Sequence, residues 1–180
     1  MSLSLTASGS RAYRVVGVDP GLAHLGLGAV EEERRAARLL GSSLLTTSSR
    51  SSAPERLGAL RDGVMAFLER HRPDALVIES QYFHRQKGTA FKVGQAFGVV
   101  MLCAADLGVP VYEYGPLQVK QALVGSGRAD KAQVAYMVRA LLKLPATPAS
   151  DHVSDAIALA LTHLQSRRIG ALESRISAQR

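Results

Sequence analysis

Two carboxylates stand at the ends of apolar runs. Asp19 closes Tyr13–Asp19 (YRVVGVD), and Glu79 closes Ala75–Glu79 (ALVIE). Neither acid has a packing role there, and burial among Val and Ile costs several kcal/mol unless the charge is paired or binds a cation. Taken singly, each also fits an exposed acid at a strand end. A third group lies in Ser150–Ala156 (SDHVSDA), where His152 and Asp155 are three apart and Asp151 and Asp155 are four apart. Either pair shares a helix face. Capping and the helix dipole account for Asp151, but Asp155 is already about a turn inside. Brought together, such carboxylates repel one another unless cations lie between them. Hard oxygen donors suit Mg²⁺ or Mn²⁺. Two such ions about 4 Å apart activate a water and stabilise a leaving phosphodiester oxygen.

The elements that position these groups can be read from pattern. Tyr13–Asp19, His24–Val30 and Arg35–Thr47 read as three strands joined by short connections, hence an antiparallel meander. Ser52-Ala53-Pro54-Glu55 opens a helix with Leu57, Leu60, Val64, Phe67 and Leu68 at helical spacing to about Arg70, and Pro73-Asp74 ends it. Ala75–Glu79 is a fourth strand, Thr89–Leu107 a second helix, and Val109–Tyr114 a fifth strand. Helical segments follow near Pro116–Val124 and Asp130–Leu144, and a last helix over Asp151–Arg167. Helix-borne crossovers after a meander predict an α/β fold, a mixed five-stranded sheet flanked by helices. That order is found in RNase H-like folds. In such a sheet the first and fourth strands are parallel neighbours, so Asp19 and Glu79 converge, and the last helix can deliver His152 and Asp155 to the same point.

Length and composition bound the rest. A chain of 180 residues supports one core. Residues 12–167 read as a single nuclease-sized domain, with a Ser-rich flexible tail at 1–11 and a basic flexible tail at 168–180. No apolar run is long enough for a membrane span, and the N-terminus has no signal-peptide pattern, so a cytoplasmic protein is expected. Cys103 lies in an apolar run and reads as a buried thiol. The net charge is +7, which favours a polyanionic partner. After Glu79 comes Ser80–Gly88 (SQYFHRQKG), in which two aromatics precede two bases. Tyr82 and Phe83 are candidates for stacking on unpaired bases, each contact being worth roughly 1–3 kcal/mol, although one could equally plug the core. Arg85, Lys87, Lys92, Lys120, Arg128 and Lys131 are candidate phosphate contacts. His24, His71, His84 and His163 share no ligand spacing, and His163 is expected on a helix surface.

The ordered motifs resemble one family. Gly17–Leu22 (GVDPGL) is like the first-strand motif of bacterial RuvC-type Holliday junction resolvases, and Val77-Ile78-Glu79 matches their second acidic motif. Lys92–Ala96, Pro110–Tyr114, Gln118–Gln121, Lys131–Val134, Leu142–Pro145 and Asp155–Ala158 continue the match over about residues 13–165. The resemblance implies an RNase H-like endonuclease, a homodimer that makes paired, metal-dependent nicks in four-way junction DNA during recombination and repair. A branch-migration helicase complex is the expected partner. By motif, Asp19, Glu79 and Asp155 are metal ligands, and the family's fourth position, three residues before the last acid and either Asp or His, is His152. Asp151, one residue further away, could replace it if the helix starts late. The resemblance also makes Tyr82 the aromatic that meets bases, and matches Lys120 and Lys131 to basic positions. An imidazole ligand favours Mn²⁺ over Mg²⁺. His152 could instead act as general base for the attacking water.

Three other readings fit parts of the pattern. An ATP-binding protein of the actin and sugar-kinase type shares the Asp-then-Gly first strand but needs two lobes. Another RNase H-like nuclease would cut RNA–DNA hybrids or stalled replication intermediates. A binding-only junction protein would not need the complete set Asp19, Glu79, His152 and Asp155.

Overall fold

The computed structural model describes residues 11–80 and 87–177. The elements are β1 (Tyr13–Asp19), β2 (His24–Glu33), β3 (Ala36–Thr46), α1 (Ala53–His71), β4 (Ala75–Glu79), α2 (Lys87–Asp106), β5 (Val111–Tyr114), α3 (Pro116–Val124), α4 (Lys131–Leu141) and α5 (Asp151–Ser177). The sheet order is β3-β2-β1-β4-β5. β1 pairs antiparallel with β2 and parallel with β4, β2 pairs antiparallel with β3, and β4 pairs parallel with β5. This is the RNase H-like sheet that the element order predicts.

Side-chain alternation along the strands sorts the residues between two cores. Val16 and Val18, Leu25 and Leu27, and Leu76 and Ile78 face α1 and α2, against Leu60, Val64, Leu68, Val100 and Cys103. Val15, Val30 and Val77 face the opposite way, against α3, α4 and α5. Each fully buried aliphatic side chain contributes about 1.5–3 kcal/mol. By the same alternation, Asp19 shares a face with Val15, and Glu79 with Val77. The β1–β4 register aligns Val18 with Ile78, so its continuation sets Asp19 beside Glu79. Both acids therefore lie at adjacent strand ends on the α5 face.

Two glycines bring α5 close to that face. A Cβ on Gly17 would stand 1.9 Å from the Ala156 carbonyl oxygen, and one on Gly26 would stand 2.0 Å from that of His152. With no Cβ at either position, the helix backbone rests directly on the sheet.

Several boundaries differ from the sequence expectation. β2 continues beyond Val30 to Glu33, through acids that read as loop. The Glu31 carboxylate is buried but accepts from Arg14 Nε at 2.7 Å and Arg38 Nη2 at 2.7 Å. Those guanidiniums hold it below its ordinary carboxylate pKa. Arg34 and Arg35 both have positive φ, 49° and 69°, making a tight two-residue connection without the usual Asn-Gly. α4 stops at Leu141 rather than Leu144 because Lys143 turns left-handed. Its end is closed by Leu144 N–H donating to the Arg139 carbonyl and Lys143 N–H to that of Ala140.

The boundary of the last helix at Arg167 also moves: α5 runs on to Ser177. Arg168 anchors the extension, its Nε donating to Glu32 at 2.7 Å and its Nη2 to the Arg35 carbonyl at 2.9 Å. At the other end Arg11 pairs with Asp74 at 3.0 Å, while residues 1–10 lie outside the described part. No helix among the described residues is long and apolar enough to cross a membrane.

Candidate active site

Asp19, Glu79 and Asp155 line one pocket of ≈ 100 Å³, with Lys120, Lys131, Pro116, Val119, Val134 and Leu159. Strand alternation supplies the first two acids, and α5, one turn past its start, supplies the third. His152 joins them through its ring: Nδ1 lies 2.6 Å from Asp19 Oδ2. Asp151 does not join them. Its side chain is 82% exposed, and its nearest charged partner is Lys131 Nζ at 3.8 Å. The helix therefore starts early enough to turn His152, and not Asp151, toward the strand ends.

Lys131, at the start of α4, places Nζ 3.4 Å from Asp155 Oδ2. Asp130 caps that helix by accepting from Gln133 N–H at 2.8 Å, which fixes the turn carrying Lys131. Burial raises the Asp155 pKa, Lys131 pulls it down, and Asp19 pushes it up again. Asp155 raises the Lys131 pKa in return, against desolvation. Excess negative charge thus collects in a partly dehydrated pocket, and Lys131 neutralises part of it. Among the described residues no three His, Cys, Asp or Glu side chains already stand as a metal cluster. The donor set nonetheless fits hard divalent cations: three carboxylates line one small pocket, an imidazole bonds one of them, and a cation would relieve the repulsion between Asp19 and Asp155.

The proposed DNA contacts fall into groups. Lys120 and Lys131 lie in the pocket wall, closer to the acids than their sequence positions indicate. Lys92 and Arg128 are exposed and lie outside that wall. Tyr82, Phe83 and Arg85 lie outside the described residues, as does the side chain of Lys87, which opens α2.

Two histidines depart from their expected roles. His163 is buried rather than on a helix surface, at 5% exposure. Its Nδ1 lies 3.1 Å from Tyr114 OH and its Nε2 3.5 Å from Tyr13 OH. Burial, then Arg167, lowers its pKa. The neutral ring suits its place between two hydroxyls, and the tyrosines on β1 and β5 were the missed signal. His24 stacks on His152, ring centroids 5.7 Å apart, which the absence of ligand spacing concealed.

Comparison with known proteins agrees with this geometry. The family model described as crossover junction endodeoxyribonuclease RuvC matches residues 15–163. The crossover junction endodeoxyribonuclease RuvC of Thermus thermophilus is 48% identical over 159 residues, covering 87% of this chain and 96% of the relative. That of Roseiflexus sp. is 49% identical over 152 residues, covering 84% and 90%. The solved structure of T. thermophilus RuvC in complex with Holliday junction substrate superposes with a TM-score of 0.84 at 48% identity, covering 88% of this chain and 96% of that one. A family match spanning both strand acids and the helix acid, together with relatives nearly half identical over more than four-fifths of the chain, establishes that the chain belongs to the RuvC family of crossover junction endodeoxyribonucleases.

Proposed function

We propose that this endonuclease resolves four-way DNA junctions at the pocket formed by Asp19, Glu79 and Asp155, with His152 as the fourth ligand. One observation carries the reading: three carboxylates from two strands and one helix converge on a pocket walled by Lys120 and Lys131. The family is divalent-metal dependent. We assign two ions per site, Mg²⁺ or Mn²⁺, to Asp19, Glu79, Asp155 and His152. Bound there, such ions supply Lewis acidity at the phosphorus and a water activated for attack.

The chain's own residues do the remainder. Asp19 accepts from the His152 ring and so fixes its tautomer and orientation. Lys131, held by the Asp130 cap, balances Asp155 until a cation competes for that carboxylate. Lys120 and Lys131 then offer ammonium groups to the phosphates flanking the scissile bond. The relative solved with a Holliday junction substrate supports the same substrate here. Paired nicks need two such sites, hence a homodimer. A branch-migration helicase complex is the partner that would deliver mobile junctions. Tyr82 and Phe83, directly after Glu79 in sequence, are assigned to unpaired bases near the crossover.

The test is cleavage of a labelled, mobile four-way junction with Mn²⁺, Mg²⁺ or EDTA, beside linear duplex and RNA–DNA hybrid. The expected result is symmetric paired nicks in the junction only, none with EDTA, and a higher rate with Mn²⁺ because imidazole is a poor Mg²⁺ ligand. Preferred cleavage of the hybrid would overturn the substrate. Equal saturated rates with both ions would remove His152 as the source of metal preference.

A further inference from the structure

We propose that His24 is a positioning residue for the His152 imidazole, and so for the Asp19–His152 pair. The inference rests on the reading that this pair belongs to the active site. His24 opens β2 and, by alternation with Leu25 and Leu27, lies on the strand face that meets α5. Two residues on, Gly26 touches the His152 backbone closely enough that a Cβ would stand 2.0 Å from the carbonyl oxygen. The same strand end therefore locates both the main chain and the ring of His152. The two imidazoles lie 5.7 Å apart at an interplanar angle of 27°. Asp19 holds one edge of the His152 ring at Nδ1, and His24 lies over its face. An edge contact alone leaves rotation about that hydrogen bond, and the stacked ring restricts it.

His24 is itself firmly held. Thr47 N–H donates to the Ala23 carbonyl at 3.0 Å, and Thr47 Oγ1 donates to that of Leu22. Arg56 Nε in turn donates to Thr47 Oγ1 at 2.8 Å. The connection from Asp19 to His24 is thus clamped by Thr47, just past β3, and by Arg56 of α1, so the backbone that carries the His24 ring is fixed. Its own side chain is exposed and fills no core space. Stacking, and no polar atom of His24, is the contact that matters.

The experiment compares His24→Ala, His24→Phe and His152→Ala in the full-length protein. Steady-state junction cleavage gives kcat and KM, and junction affinity is measured in EDTA. The His152 ring-proton resonances, assigned by their loss in His152→Ala, are followed in the metal-free protein. Loss of a stacked aromatic partner should lower kcat about threefold to tenfold in His24→Ala. KM and metal-free affinity should stay within about twofold, the span of uniform binding left intact. The His152 resonances should move toward those of an unstacked imidazole, and His24→Phe should restore kcat. The proposal is overturned by an unchanged kcat in His24→Ala. It is equally overturned by weakened junction affinity with kcat intact, which would make His24 a DNA contact, or by a His24→Phe as slow as His24→Ala. Full activity in His152→Ala would instead bring down the active-site reading itself. An inactive His152→Ala beside a normal His24→Ala would remove only the role of His24.

Discussion

Asp155, proposed above as a metal ligand, sits where its charge works against the fold. Burial raises its pKa above the ordinary carboxylate value, and Lys131 recovers only part of the cost. A raised folded-state pKa means that the group's contribution to stability is complete below the unfolded value of about 3.9 and is lost as pH rises through the folded value. At neutral pH the ionised carboxylate therefore opposes folding, and Asp155→Asn should stabilise the metal-free protein. The side chain is 39% exposed, so screening keeps the gain to about 1 kcal/mol or less, a Tm rise of up to about 4 °C. The advantage should be present at pH 8 in EDTA and fade toward pH 4, as read by thermal melts across that range. Excess Mn²⁺ should stabilise only the parent, because a cation bound to the folded state alone adds stability by mass action. Junction cleavage by the variant should fall at least about a thousandfold, since charge stabilisation of several kcal/mol is lost. A lower Tm for the variant at pH 8 would contradict the burial argument. His163 marks the limit of reading single residues from sequence. Its helix-borne neighbours give no sign of the two tyrosine hydroxyls that bracket it, because Tyr13 and Tyr114 come from strands far away in the chain.

At the level of elements, the strands and most helices were legible because their patterns and their burial agree. Val16, Val18, Leu76 and Ile78 alternate with residues of the opposite face, and that alternation carries Asp19 and Glu79 to α5. What escaped was held by tertiary partners. Glu31 stays in β2 only because two arginines pair with it. The Arg34-Arg35 turn lacks turn residues, and Arg168 is ordered by Glu32 across the fold. The small apolar run after Asp155 (AIALAL) predicts a helix packed closely on the sheet, but the glycines that admit it, Gly17, Gly26 and Gly28 of β1 and β2, do not announce that role in sequence. That seating is testable at Gly26. A methyl there would stand 2.0 Å from the His152 carbonyl oxygen and 2.3 Å from its carbon, both backbone atoms that cannot move without the helix. Overpacking of this kind costs about 1–3 kcal/mol or more, so Gly26→Ala should lower Tm by roughly 2–12 °C in a domain of this size. Displacing His152 and Asp155 by about an ångström should also cost 10-fold to 100-fold in cleavage rate. Gly58→Ala is the control. It lies inside α1 with nothing within 4 Å of the added carbon, and should raise stability by about 0.5–1 kcal/mol. Equal melting of the Gly26 variant and the parent would show that α5 is not seated by this contact.

For the molecule as a whole, the described residues form one acidic pocket, and the paired nicks proposed above would call for a second copy related by a two-fold axis. For that second copy we propose a seam on α2. Ala96, Val100, Cys103 and Ala104 turn inward, whereas Phe91 and Leu102 are 69% and 56% exposed. Gly94 and Gly98 lie between them at helical spacing, and a Cβ added to either would meet nothing within 4 Å. Phe91, Gly94, Gly98 and Leu102 thus form one outward stripe, apolar at both ends and flat in the middle. Such a stripe lets another helix approach closely, and exposed apolar surface of this kind is lost from water only by docking. Gly98→Arg separates docking from folding. Within one chain the new side chain has open space, and replacing a mid-helix glycine favours the helix by up to about 1 kcal/mol. At a two-fold seam, however, the same substitution puts two like charges and two long side chains into one small gap. The expected outcome is a protein that melts no lower than the parent but sediments as a single 19.2 kDa chain where the parent sediments as a dimer. With its metal site intact, that monomer should still nick a four-way junction, but one strand at a time, so that plasmid-borne junctions accumulate singly nicked product in place of paired cuts. A Gly98→Arg protein that stays dimeric and cuts in pairs would move the seam off this face of α2, leaving Phe91 and Leu102 exposed for another reason.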